Sequence, residues 1–346
     1  MALQGKALVE RLQRDGVDVE FLPTNPAIPR FISPIIGVRT VIQSFLFLWK
    51  LCRELLRPRV VHVLAASHWY FVLRVVPTVV LSKCLGRRLI LNYRGGEAPS
   101  FFAGYRWLVV PVLRWVDEIA VPSAYLHRVF ADYGFAAAII PNFVDLQRFR
   151  FRQRDRLAPR LLVNRSLEPL YNVRMAIDAY AILRKTHPEA SLDVVGSGSE
   201  ETALRRWVSE QGLKDVHFHG AVPNEEMPRY LDEAEVLLNP SNADNMPISL
   251  LEAFAAGVPV VTTNVGGIPD LVGLVEAALL VDAGDAAAMS AQVDDLLRQP
   301  EKAFRLTQTA KALSEQTSWQ RVGRLWLALY GGQISGRSAE SVKAIT

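Results

Sequence analysis

The chain has 346 residues, half of them hydrophobic, with a net charge of +4 and a pI near 9.1. That length and apolar content support two domains with cores of their own. The positive excess is mild and dispersed. It suits an anionic ligand or an anionic membrane surface, and without a dense Lys/Arg run interleaved with aromatics it argues against a nucleic-acid partner. Cys52 and Cys84 stand alone, with no metal-ligand spacing, which points to a reducing, cytoplasmic compartment.

In chain order, the opening MALQGKALVERLQRDG reads as an amphipathic helix rather than a signal peptide. VDVEFLPT (17–24), RVVHVLAA, RRLILNYRG and EIAVPS read as strands, with helices such as RTVIQSFLFLWKLCRELL (39–56) between them. No apolar run reaches the ~20 residues that a spanning helix needs. RTVIQSFLFLWKLCRELL mixes large apolar residues with Arg and Lys, as an interfacial helix does; burial against the sheet is the preferred reading, and peripheral contact with an anionic inner membrane surface the lesser one. PNFVDLQRFRFRQRDRLAP (141–159) is polar and Pro-bounded and reads as a linker. The second half runs RLLVNRS, a helix over 173–185, SLDVVGSG, a helix over 201–212, VHFHG, a helix near 224–234, VLLNPS, then VPVVTT, AALLVD and two helices to about residue 330. Strands alternating with helices indicate parallel α/β sheets. Such a domain ordinarily opens on a strand, whereas this chain opens on a helix. The first strand and most of its Gly-rich turn, of which Gly5 remains, are therefore expected to be missing. The tail GGQISGRSAESVKAIT reads as poorly ordered.

The most informative stretch is NPSNADNMPISLLEAFAAGVPVV, 239 to 261. A strand ends in a loop carrying Asp244, Pro247 suits a helix start, and Gly257 suits the C-terminal cap. The free N–H groups of Ile248 and Ser249, with the helix dipole, make an anion site. Glu252 lies on the same helix face. Each acid alone reads as an ordinary solvated residue, so the rest of the chain has to decide between the two readings.

With these pieces in order, the sequence resembles the family 4 retaining glycosyltransferases of the GT-B fold. The resemblance rests on Asp244, seven residues, Glu252, then AFAAGVPVV; on IPNFVDLQRF (140–149); on VVGSGSEETAL (194–204); on the run 216–241; on GGIPDLV (266–272); and on SWQRVGRLWLALY, like the family's closing helix. It implies two Rossmann-like domains facing each other across a cleft. Residues 1–148 would form the acceptor-side domain and 149–318 the nucleotide-sugar domain. Residues 319–332 would be the helix crossing back, and 333–346 a flexible tail. It also implies roles. Glu252 holds the ribose hydroxyls of a nucleotide-sugar, and Asp244 lies by the donor sugar. Asn245, Met246, Pro247, Ile248 and Ser249 face sugar and diphosphate, with Gly196 and Gly198 in the Gly-x-Gly turn. Arg165 neutralises the leaving diphosphate.

The sequence also departs from that pattern. The family's Lys, five residues after the Arg, is absent; Leu170, Tyr171 and Asn172 occupy the region, and the nearest further cation is Arg174. In the first domain Arg94 stands where the family often has a His, as a phosphate partner or a structural cation. His62 and His68 are weak candidates. No Asp-x-Asp or ligand-spaced cluster occurs, so the expectation is metal-independent transfer without a cofactor; that a hexosyl group is transferred with retention is what the resemblance implies. The donor would be a UDP- or GDP-sugar, and the acceptor a glycan, a lipid-linked or a small molecule, as in polysaccharide and cell-envelope biosynthesis. The alternative is a nucleotide-sugar-binding protein with weak or no turnover. A dinucleotide oxidoreductase is disfavoured, since GSGSEE (196–201) lacks the third Gly of its fingerprint.

Overall fold

The computed structural model describes residues 2–26, 36–273 and 275–332. The tail read as poorly ordered lies, from 333 on, outside them. The chain divides into two compact units, one comprising residues up to Pro141 together with those from Gly323 onward, the other Asn142–Val322.

The first unit runs α1 (Ala2–Arg14), α2 (Ile36–Glu54), β1 (Val60–Ala65), α3 (His68–Tyr70), a π-helical turn at Phe71–Val75, α4 (Val76–Cys84), β2 (Arg88–Tyr93), α5 (Ala98–Gly104), α6 (Arg106–Leu113), β3 (Glu118–Val121), α7 (Ala124–Asp132) and β4 (Ala138–Ile139). Its sheet is parallel in the order β1-β2-β3-β4. β2 reads RLILNY and is buried from Leu89 to Tyr93, as expected of a parallel strand covered on both faces. VDVEFLPT does not form the expected strand: residues 17–23 are irregular. A strand exists only where a neighbour takes up its ladder groups; β1 lies at the edge of the sheet and pairs, among the described strands, with β2 alone. Gly5 of α1 sits where a Cβ would lie 2.7 Å from Leu64 of β1 and 3.2 Å from Phe21, so helix and irregular segment pack together against β1.

The second unit runs β5 (Arg160–Asn164), α8 (Val173–Leu183), β6 (Ser191–Val195), α9 (Glu201–Glu210), β7 (Val216–Gly220), α10 (Met227–Glu233), β8 (Val236–Asn239), α11 (Ile248–Ala256), β9 (Val260–Thr263), α12 (Ile268–Val272), β10 (Leu279–Val281), α13 (Ala286–Arg298), α14 (Pro300–Gln316) and the start of α15 (Trp319–Tyr330), which from Gly323 on belongs to the first. Three helices, not two, follow β10. The sheet is parallel in the order β10-β9-β8-β5-β6-β7. From β5 the chain proceeds to β6 on one side, then returns to place β8 on the other. That reversal is a topological switch point, and in open α/β sheets the crevice beyond the strand ends there is the place for a ligand. α11 is buried from Ser249 through Ala256, because ISLLEAFAA is apolar almost all round. It ends at Gly257 with φ +71°, the left-handed C-terminal cap that Gly adopts without strain.

The 141–159 stretch is not a loose linker. Arg154 is buried within the second unit and donates to the helix-end carbonyls of α10 and α11: Ala256 (3.1 Å), Gly257 (2.7 Å), Leu231 (2.9 Å) and Ala234 (2.9 Å). It also pairs with buried Glu235 at 3.4 Å. One guanidinium thus satisfies carbonyls that two helix ends leave open. Arg154→Leu is expected to destabilise this unit by about 3–5 kcal/mol in denaturant unfolding. Arg229→Ala, which removes an exposed i,i+4 pair with Glu233, should change it by less than about 0.5 kcal/mol.

Candidate functional site

The residues expected in the donor site gather at the switch point of the second unit. Arg165 directly follows β5, and Ser241 lies two residues beyond β8. The Arg165 side chain is 11% exposed. Its Nη1 donates to Ser249 Oγ (3.2 Å) and Nη2 to Ser241 Oγ (3.0 Å), while Nη2 also pairs with the Asp244 carboxylate. Ser241 is fixed in turn, donating to Asn239 Oδ1 (2.9 Å), whose Nδ2 donates to Thr262 Oγ1 (2.9 Å). Burial pulls the Arg165 pKa down to about 10, with Tyr171 opposing, so the group stays charged at neutral pH. A planar cation is held with its fork aimed at the start of α11, the geometry in which guanidinium binds phosphate.

The loop carrying Asp244 is built on close backbone contacts. Gly266, at φ +55°, sits where a Cβ would lie 1.9 Å from the Asp244 carbonyl oxygen, and the Gly267 N–H donates to that same oxygen (3.1 Å). The Asn245 N–H donates to Asp244 Oδ1 (2.8 Å). Met246 is buried, and its carbonyl accepts from Asn142 Nδ2 (2.6 Å). Pro247 stands just before the helix rather than at its first position, leaving Ile248 and Ser249 as the first helical residues. Gly196 packs against the Arg165 loop: a Cβ there would lie 1.9 Å from the Arg165 carbonyl, and one at Gly198 2.2 Å from that of Leu167. Both glycines therefore act on the backbone that carries Arg165.

Glu252, one turn into α11, is 8% exposed, which rules out the solvated reading. Burial pushes its pKa up to about 7, with the positive charge of Arg148 partly offsetting. A buried carboxylate is costly to ionise, and a vicinal diol would supply two donors.

The region of the absent Lys is filled differently. Tyr171 lies under the Arg165 guanidinium, 4.5 Å from ring centroid to Cζ. Asn172 has φ +43° and donates to Asn242 Oδ1 (3.1 Å), and the Asn242 N–H donates to the Leu170 carbonyl (2.9 Å), so 170–172 is latched to the loop after β8. Arg174 is not a replacement: its Nε donates to both Asp178 oxygens at 3.1 Å, and it lies 3.2 Å from the centroid of a Trp207 ring. The reading from sequence missed Ser241, Arg148, Asn142 and the Gly266–Gly267 pair, although all of them sit inside quoted motifs.

In the first unit, Arg94 follows β2, and burial takes its pKa down to about 10. His62 is structural: Nδ1 is 2.7 Å from Tyr330 Oη and the ring stacks on Trp326 at 4.8 Å. Burial and the Arg94 charge drop its pKa to about 3, so it is neutral. His68 is exposed, with φ +60°, 3.6 Å from Glu97. Among the described residues no group of three or more His, Cys, Asp or Glu is disposed to hold a metal ion.

The Glu252 burial has a measurable consequence. A carboxyl whose folded pKa exceeds its unfolded value costs stability as pH rises above the unfolded value, in full above the folded one. Between pH 4.5 and 7 that cost grows to on the order of 3 kcal/mol. Glu252→Gln is expected to raise the unfolding midpoint at pH 8, with the difference vanishing towards pH 4.5.

Comparison with known proteins accords with this geometry. Residues 148–313 match the family model "Glycosyl transferases group 1" and residues 6–148 match "Glycosyltransferase Family 4". The GDP-mannose-dependent alpha-(1-6)-phosphatidylinositol monomannoside mannosyltransferase of Mycolicibacterium smegmatis is 29% identical over 73% of this chain and 72% of its own length. A glycogen synthase of Mycobacterium tuberculosis is 30% identical over 65% of this chain, which spans 55% of that enzyme. Among solved structures, Anabaena HepE in complex with UDP and glucose aligns with TM-score 0.71 at 17% identity, covering 93% of this chain and 88% of HepE. Sucrose-phosphate synthase from Thermosynechococcus elongatus aligns with TM-score 0.70 at 19% identity, covering 94% and 92%. These likenesses give the fold, GT-B. With two adjoining family models accounting for residues 6–313, the chain belongs to the group 1 glycosyltransferases.

Proposed function

We propose that this protein transfers a hexosyl group from a UDP- or GDP-linked sugar to a glycan, lipid-linked or small acceptor, with retention and without a metal. The observation that carries the reading is the buried Arg165 fork, bound to Ser249 at the start of α11, with buried Glu252 one turn along. A nucleotide diphospho-sugar presents a diphosphate and a ribose diol at such offsets. The Ile248 and Ser249 N–H groups and Arg165 would take the diphosphate, and Glu252 the diol. Asp244 would sit by the donor sugar.

In a retaining, front-face step the acceptor oxygen bonds to the anomeric carbon on the face from which the diphosphate oxygen leaves. The carbon–oxygen bond to diphosphate breaks with its electron pair, and the leaving oxygen takes the acceptor proton. Arg165 and the helix start stabilise the charge that develops there. They are also the groups that would stand in for a metal. The relatives' names point to both GDP-mannose and UDP as donor chemistry, and a role in envelope or polysaccharide assembly rests on such names.

A second reading, donor binding with weak or no turnover, is favoured by the Arg165–Asp244 pair and by Tyr171 in the region where the family has its Lys. Nucleoside diphosphate release from a panel of UDP- and GDP-sugars, with and without EDTA, separates the two. The expected result is release from one donor, unchanged by EDTA, and slowed 10²–10³-fold by Arg165→Ala, in line with loss of about 2.7–4 kcal/mol of charge stabilisation. Binding without release from any donor would favour the second reading. Loss in EDTA, restored by Mg²⁺, would overturn metal independence.

A further inference from the structure

We infer that α2 is an interfacial helix that seats the first unit on an anionic lipid surface. This inference is independent of the donor and of turnover.

α2 has two faces. On one, Phe47 and Leu51, with Leu55 just beyond the helix, are buried against Leu22, Val61 and Leu81, Arg74 lies 5.2 Å from the Phe47 ring centroid, and Arg74 Nη1 donates to Ser44 Oγ (2.9 Å). The helix is therefore anchored, with its burial requirement met. An adjoining face, about 110° round the helix, carries a second apolar set. Val41 is 69% exposed, Phe45 68%, Trp49 54% and Leu56, just past the helix, 63%, flanked by exposed Val38 and Leu48. At helical spacing these positions share an arc of about 100°. A single exposed apolar residue is ordinary, but a continuous stripe on an anchored helix marks an interaction surface.

Charge identifies the partner. Arg39, Lys50 and Arg53 lie along one flank of the stripe, with Arg57 and Arg59 continuing past the helix end. From Gly37 to Arg53 there is no acidic residue; Glu54 is the first. An apolar stripe beside a basic flank matches the acyl boundary and the anionic headgroups of a bilayer. A second copy of the chain would bring from this helix only Glu54, at its last position, to the basic flank. No helix among the described residues is long and apolar enough to cross a membrane, so α2 would lie in the surface plane, its stripe ~5–10 Å deep.

The test is co-sedimentation of the whole protein with phosphatidylcholine vesicles, with and without phosphatidylglycerol. Binding is expected only to the anionic vesicles. Phe45→Glu with Trp49→Glu should weaken it about tenfold or more, and Arg39→Glu with Lys50→Glu should weaken it and flatten its salt dependence. Circular dichroism and nucleotide binding report that each variant folds, and the milder Phe45→Ala with Trp49→Ala serves if the Glu pair does not. The inference is overturned by equal sedimentation of wild type and folded variants. It is also overturned by failure to bind anionic vesicles, including the case in which light scattering shows a dimer that the same variants dissolve. Neither result bears on donor transfer, which is read separately.

Discussion

A buried guanidinium without counter-charge or acceptors is too costly to keep, and the second unit is organised around meeting that demand for Arg165. The residue sits beyond β5 at the point where the strand order reverses. Ser241 arrives from the end of β8, Ser249 from the first turn of α11 and Asp244 from the loop between them. Each of those is fixed by something else: Ser241 by Asn239 and Thr262, and the Asp244 loop by Gly266–Gly267 and, through Met246, by Asn142. The result is a cation held in place beside a helix start. Asp244 holds the position in which an incoming diphosphate would compete for Arg165.

Glu252 is the counterpart on the same helix. Its burial favours the protonated form and costs stability at the pH where a diol would prefer the carboxylate. Strain and desolvation of this kind accumulate at binding sites and are offset elsewhere. Here the offset lies in a fully packed α11 and in the Arg154 clamp, which ties the ends of α10 and α11 to one side chain.

Much of this was legible in the sequence, for particular reasons. VLLN and VVTT read as buried strands because parallel strands covered on both faces need no polar alternation, and Gly257 marked the helix end because a left-handed residue was needed there. Asp244 and Glu252 were legible through spacing. VDVEFLPT misled because its alternation describes the segment alone, whereas a strand is a property of a pair. Arg154 and Arg148 were hidden inside FVDLQRFRFRQRDR, where a polar run looks solvated; that one guanidinium is fully enclosed by carbonyls distant in sequence is a tertiary fact. The stack of Tyr171 under Arg165 was invisible for the same reason, and so was the outward pairing of Arg174 with Asp178 and Trp207.

The central claim is that Glu252 and the Arg165 seat together hold a nucleotide-sugar. It is tested most directly by calorimetric titration of intact UDP- and GDP-sugars, in EDTA, into wild type and Glu252→Ala at pH 6 and pH 8. Because ligand hydroxyls bind the ionised carboxylate, whose pKa lies at about 7, one donor should bind more tightly at pH 8 than at pH 6, and the mutant should lose both the affinity and the pH dependence. Binding of equal strength at both pH values in wild type and mutant alike would contradict the account.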